Sequence, residues 1–282
     1  MFSFFKRRQV DPHAALKAAL GEAELPSFPT VVMQALRVIR DPEGTTAAVG
    51  AVIASDPALS VQVLQLANSA GAGAGRRIGN VRHAVAMAGM SRVEAIVLAA
   101  GVKGALPVGP VMGFEAARFW RASARRAATA KALAIRLHPA QAVESFTAAL
   151  LQDMAVPVLS HRRGDTYGEL LEAWHGGEAS LESMERERFG WDHGEVATWL
   201  CASWSLPESL ASAIGGHHGG DAAEDCPAAV ELVGHLRETT ERSGAEQLVE
   251  AARERFGLPP DECLAAVNEG VREGDALARL FA

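Results

Sequence analysis

Histidine, cysteine and arginine are the residues of this chain whose type and spacing could do chemistry. There are nine histidines. Imidazole ligates transition metals and changes charge near neutral pH, so a histidine pair such as His217-His218 draws attention first. On a helix, adjacent side chains point about 100° apart, so this pair would not share one ion as histidines at i, i+4 do. His193 follows Asp192 at an expected helix start, where capping or core hydrogen bonding is the ordinary use. His83, His138, His161 and His175 have no companion at ligand spacing, and His13 is expected on the surface. Cys201, Cys226 and Cys263 are odd in number and far apart, which fits a reducing compartment and neither a disulfide framework nor a zinc knuckle. Cys201 lies in an apolar stretch, as a small buried hydrophobe does. There is no Gly-x-Ser-x-Gly or His-Glu-x-x-His, and the glycines at 71, 73 and 75 are not followed by Gly-Lys-Ser/Thr, so nucleophile-elbow, zincin and P-loop chemistry are excluded.

A second chemistry is cationic. Arg118, Arg121 and Arg125 recur at i, i+3, i+7 and share one helix face, with Arg126 at its border. Guanidinium groups grouped in this way suit a nucleotide, a phosphate or an acidic segment, unless neighbouring carboxylates balance them.

These residues need helices to position them. The chain has 282 residues, 49% apolar and 22% charged, with aromatics at 6%; alanine is abundant and strand formers are thin. Val32, Ala35, Leu36 and Ile39 after Thr30 make one apolar face, stopped at Asp41-Pro42-Glu43-Gly44. A helix is expected over about 45–54. Asp56-Pro57 caps the next, which carries Leu59, Val63, Leu66 and Ala67. The stripe Val81, Val85, Ala88 follows, and Ser91 is read as the cap of a helix through Val93, Ile96 and Ala100. Leu106-Pro107-Val108-Gly109-Pro110 is the best internal boundary. Beyond it come a long helix from Glu115 to Leu137, shorter ones to about His161, starts near Leu181, Asp192 and Pro207, and a helical last sixty residues punctuated by Gly244 and Gly257. The expected fold class is all-α, with a tail or helix at 1–24, a domain at 25–240 in halves of about 25–106 and 111–240, and a helical extension at 241–282. No apolar run is long and uninterrupted enough to span a bilayer, although Phe2, Phe4 and Phe5 beside Lys6, Arg7 and Arg8 could touch a surface. A net charge of −7 disfavours generic nucleic-acid binding.

Three stretches, taken in order, resemble the HDOD family, a branch of the HD-domain superfamily of bacterial signalling proteins. They are Leu25-Pro26-Ser27-Phe28-Pro29; Ser55-Asp56-Pro57-Ala58-Leu59 through Asn68-Ser69 with Ile78 and residues 81–89; and the series Phe119-Trp120-Arg121-Ala122-Ser123, Leu151-Gln152-Asp153-Met154, Gly190-Trp191-Asp192-His193, Trp204-Ser205-Leu206-Pro207 and Ile214 to His218. The resemblance implies an all-α, multi-helix fold with an N-terminal half and a C-terminal HD-like half. Active relatives in the superfamily hold divalent metals on a His, a His-Asp pair and a later Asp to hydrolyse phosphate esters. At the matching positions stand Ala122, Gln152-Asp153 and, loosely, His235, so the resemblance implies a degenerate site with neither catalytic residues nor a bound metal.

The resulting expectation is a cytoplasmic, non-enzymatic regulatory module without a cofactor, whose helical halves form a cleft for signalling proteins or an anionic ligand. Candidate binding residues are Arg118, Arg121, Arg125, Asp153, His193, His217 and His218, and Trp120, Trp191, Trp199 and Trp204 are core or cleft aromatics. Any enzymatic output would come from another polypeptide. Two alternatives stand beside this: a metal-dependent phosphohydrolase in which His83, Asp153, His193, His217, His218 and His235 converge, and a sensor that holds a nucleotide or cyclic dinucleotide without turning it over.

Overall fold

A computed structural model describes residues 11–21, 27–70, 77–105, 109–219, 225–238 and 244–279. The tail with Phe2 to Arg8, the motif residues Leu25 and Pro26, the glycines at 71, 73 and 75, and the start of the Leu106 boundary lie outside them.

Every regular element among the described residues is a helix; one isolated bridge joins Val111 and Phe114. In the N-terminal half these are α1 (Pro12–Leu20), α2 (Thr30–Arg40), α3 (Thr46–Ile53), α4 (Pro57–Ala70), α5 (Val81–Ala88) and α6 (Met90–Ala105). The C-terminal half holds α7 (Ala116–Leu137), α8 (Ala142–Leu151), α9 (Ala155–Arg163), α10 (Asp165–Gly176), α11 (Leu181–Phe189), α12 (His193–Ser203), α13 (Glu208–Gly215) and α14 (Ala228–Val233). The chain continues into α15 (Ala245–Phe256) and α16 (Pro260–Ala278).

Local chemistry accounts for several starts. Thr45 Oγ1 accepts from the Ala48 amide, Asp56 Oδ1 from Leu59 and Asn80 Oδ1 from His83, each satisfying a first-turn N–H that has no partner within its helix. Ser91, expected as a cap, instead lies inside the first turn of α6, which begins directly after Gly89. The helix α10 was not anticipated from the sequence, because Gly164 stands directly before it and Gly168 interrupts its apolar pattern.

Motif residues hold the halves together. The Asn68 amide brackets Ile78, accepting from its N–H at 2.8 Å and donating to its carbonyl at 3.0 Å, which ties the end of α4 to the approach of α5. Phe28 packs on Trp204 with ring centroids 4.8 Å apart and lies over Gly101, where a Cβ would meet the ring at 2.4 Å. One continuous core runs from Leu16 on α1 through Leu36, Ile53 and Ile96 to Phe119, Leu159 and Leu200. A second cluster joins α7 and α8 to α14, α15 and α16 around Leu133, Leu232, Leu248 and Val267. Pro139–Arg163 has the length and hydropathy of a membrane span, but it is broken into short helices and mostly buried in this core.

Candidate functional site

The site is built on α12 and the turns that approach it. Asp192 starts α12 with a reciprocal capping box, accepting from the Glu195 amide at 2.9 Å while Glu195 accepts from the Asp192 amide. That places His193 at the first helical position, 2% exposed. α13 lies close across α12, since a Cβ on Gly215 would come within 2.4 Å of Thr198 Oγ1. His217 and His218 then lie in the turn that follows α13, not on a helix. The sequence expectation that adjacent side chains diverge is therefore corrected: the turn folds both rings onto one place, with centroids 3.7 Å apart. Asp153, in the turn between α8 and α9, completes the group.

Distances show how closely these atoms gather. Asp153 Oδ1 is 3.4 Å from His193 Nε2 and 3.3 Å from His217 Nε2, and His218 Nε2 is 2.8 Å from His193 Nε2. The outer contacts fix the rings. His193 Nδ1 donates to Glu185 Oε2 at 2.6 Å, and the His193 amide donates to the same oxygen at 2.8 Å. Glu185 is fully buried on α11 and accepts a short hydrogen bond from the Tyr167 hydroxyl on α10. His217 Nδ1 donates to the Ile214 carbonyl at 2.6 Å, because a carbonyl can only accept. Its Nε2 is buried and faces the Asp153 carboxylate.

The other oxygen of Asp153 is taken by Arg126, whose guanidinium also donates to the Leu236 carbonyl. Burial alone would raise the Asp153 pKa, but Arg126, His193 and His217 hold the carboxyl well below its usual range. Burial opposes charge on His193 as well, yet the Glu185 carboxylate and hydrogen bonds to Asp153 and Glu185 hold the imidazole well above its ordinary value. His218 is pushed well below that value by burial and then by the charges of His217 and His193.

The sequence-named residues divide between two adjoining cavities. One, of about 300 Å³, is lined by the Asp153, His193, His217 and His218 group with Trp174, Glu182, His235 and Arg255. The other, of about 290 Å³, is lined by Arg118, Arg121, Arg125 and Ala122. Arg126, Leu236, Arg237 and Glu238 line both. The arginine face is not three free cations. Arg118 lies 3.7 Å from Glu238 and donates to the Gly113 carbonyl, and Arg125 makes a two-pronged pair with Asp275 at 2.7 and 3.0 Å. Arg121 is exposed. Nor do the two halves form this cleft: every residue lining either cavity comes from Glu115 onward. A separate, more apolar groove of about 340 Å³ does lie between the halves, with Leu66 and Arg92 on one side and Val143, Phe146 and Leu277 on the other.

Of the four positions the family pattern names, only Asp153 belongs to the histidine group. Ala122 offers a methyl, the buried Gln152 carbonyl oxygen has no partner, and His235 lines the cavity outside the cluster of converging ligand atoms. Among the expected aromatics, Trp120, Trp191 and Trp204 are core and Trp199 is half-buried. Sequence reasoning missed Glu185, Tyr167 and Trp174. Glu185 could have been found, since it follows Leu181 by four residues and shares its buried stripe. His83 and His161 lie outside the site; His161 bonds the Pro157 carbonyl within α9.

Comparison with known proteins places this geometry. Residues 25–219 match the HDOD domain family. A solved structure from Shewanella amazonensis SB2B, provisionally named a phosphohydrolase, aligns with a TM-score of 0.72 at 25% identity, covering 95% of this chain and 100% of that one. A provisionally named signal transduction protein from Marinobacter aquaeolei VT8 aligns with a TM-score of 0.73 at 21% identity, over 96% of this chain and 67% of that one. An uncharacterized protein of Treponema pallidum (strain Nichols) is 23% identical over 196 residues, which are 69% of this chain and only 38% of that relative's length.

Proposed function

From the premise that this chain belongs to the HDOD family, we propose that it is a regulatory module that binds without turnover. The observation that carries this reading is the fate of Asp153. A carboxylate that bridges two catalytic metals must give an oxygen to each. Here Oδ2 is spent on the buried Arg126, and Ala122 and Gln152 supply no anionic or imidazole ligand beside it. The name of the Marinobacter relative supports a signalling role. The binding surface is the arginine-lined cavity, where Arg121 is exposed and Arg126 and Arg237 border the histidine group. It suits an anionic ligand, such as a nucleotide or cyclic dinucleotide, or an acidic partner segment.

The test uses the full chain and a panel of nucleotides and cyclic dinucleotides. At least one is expected to raise the melting temperature, because a ligand that binds only the native state stabilises it. Arg121→Glu abolishes the shift and leaves the unliganded melt unchanged. Phosphodiester or phosphomonoester turnover with added Mg²⁺, Mn²⁺ or Zn²⁺, lost in Asp153→Asn, would overturn the reading. One observation favours the alternative, a metal-dependent phosphohydrolase: His193, His217 and His218 converge and Asp153 touches the first two, although His83 and His235 do not join them.

A further inference from the structure

We propose that the groove between the two halves is a binding site for a straight-chain fatty acid, with the alkyl chain in the groove and the carboxylate paired with Arg92. Among the described residues, none lines both this groove and either cavity of the candidate site, so the proposal stands apart from the regulatory reading.

The lining selects an aliphatic body. Leu66, Phe146 and Leu277 present large apolar side chains, while Ala128 and Ala276 are small and leave the space of about 340 Å³ open. Small-molecule sites run to roughly 300–1,000 Å³ and occur preferentially where domains meet. Val143 lines the groove and is 47% exposed, and Ile135, one turn along α7 from Lys131, is 48% exposed. Apolar surface therefore continues past the mouth. Phe146 is the only aromatic among the described lining residues, which leaves no pair of rings to clasp a nucleobase. Ser91 carries the only hydroxyl and there is no side-chain amide, so a heterocyclic or polyhydroxylated ligand would bury polar groups unpaired.

Charge selects the head group. Arg92 and Lys131 line the groove against one carboxylate, Glu273, which makes a net positive site in a chain of net charge −7. Arg92 is exposed, and no carboxylate among the described residues pairs with it. It stands in the first turn of α6, where the helix dipole adds positive charge and no acidic side chain offsets it. Lys131 and Glu273 are 3.9 Å apart with 30% and 48% of their side chains exposed, a solvent-screened pair that contributes little. Glu273 can therefore turn into solvent as an anion enters. The walls come from α4 and α6 on one side and α7, α8 and α16 on the other, so the occupant touches both halves and stabilises their contact.

The experiment is calorimetric titration of the full chain with n-decanoate below its micelle concentration, alongside n-octanoate, n-decanol and decyltrimethylammonium. Decanoate is expected to occupy one site per chain and to bind about tenfold more tightly than octanoate, because each added methylene leaves water. It should also bind at least about tenfold more tightly than decanol or the ammonium analogue, which cannot accept a charge-assisted hydrogen bond from Arg92. Arg92→Glu, an exposed substitution that leaves the unliganded melting temperature unchanged, should weaken decanoate by about tenfold or more. Ala276→Phe fills the groove and should abolish binding; if it fails to fold, Arg92→Glu decides. No saturable binding of free decanoate, equal binding of decanol, or full affinity in Arg92→Glu or in a folded Ala276→Phe would overturn the proposal. Binding only to vesicles that contain anionic lipid would overturn it as well. So would loss of decanoate binding in Arg121→Glu with none in Arg92→Glu, which would move the site to the arginine cavity.

Discussion

Tyr167 is the only tyrosine in the chain, fully buried and hydrogen-bonded to the buried Glu185 that orients His193. Burial raises its pKa first and the Glu185 charge adds to it, so the phenol stays neutral well above the ordinary value of 10.0. The unfolded chain releases this proton near pH 10 while the native state keeps it. The native state then binds more protons, and stability falls as pH rises through about 10 and beyond. Tyrosinate absorbance should therefore be absent from the native protein at pH 10.5 and develop only together with loss of helical circular dichroism. In urea the same absorbance should titrate near pH 10. A free titration of the folded protein near pH 10, with its helix content intact, would show that the Tyr167–Glu185 contact does not exist. Nothing in the sequence marked this residue, because a hydrogen bond between α10 and α11 has no spacing signature.

At the scale of elements, the contact between α7 and α16 depends on two glycines. A Cβ on Gly274 would lie 2.4 Å from Arg125 Cα and 2.7 Å from Arg125 N, and one on Gly270 would lie 2.6 Å from Thr129 Cα. These are backbone atoms that cannot rotate aside. Alanine normally improves a helix interior by about 1 kcal/mol over glycine, but overpacking against a fixed backbone costs more. Gly274→Ala is therefore expected to destabilise by about 2 kcal/mol in urea titration. Gly176→Ala at the end of α10, where nothing lies within 4 Å, should be neutral or slightly stabilising. Equal effects would remove the close approach from the account. The helices were largely legible in the sequence because amphipathic stripes and Asp-Pro or Asn caps are local signals, as at Val32–Ile39 and Asp56–Pro57. Glycine at a helix crossing reads in sequence only as a weak break, so the partner of α16 was not legible. The same limit hid the site: His217 and His218 could be named, but their convergence depends on α13 ending at Gly215, two residues before His217.

At the scale of the molecule, the question left open by the sequence is whether residues 241–282 are an appendage. Their described helices, α15 and α16, complete a core. Leu248 and Ala252 of α15, Leu258, and Cys263, Ala266 and Val267 of α16 are buried with Ala130, Leu133 and Ala134 of α7. Asp275, Glu273 and Glu269 of α16 face Arg125, Lys131 and Arg136 of α7. The HDOD family match ends at residue 219, whereas the alignment with the Shewanella structure covers 95% of the chain and so extends into these helices. Burying each leucine or valine contributes about 1.5–3 kcal/mol, and a whole domain is stable by only about 5–15 kcal/mol. Loss of α15 and α16 would remove several such side chains and expose the α7 surface beneath them. A chain ended after residue 240 should therefore lose its single cooperative melt and bind hydrophobic dye. It should also lose the ordered arginine face, because Arg125 no longer has Asp275 to hold it. If the shortened chain instead melts cooperatively at the same temperature, α15 and α16 are an independent attachment, and the arginine cavity must be organised by α7 and the segment around Leu236 alone.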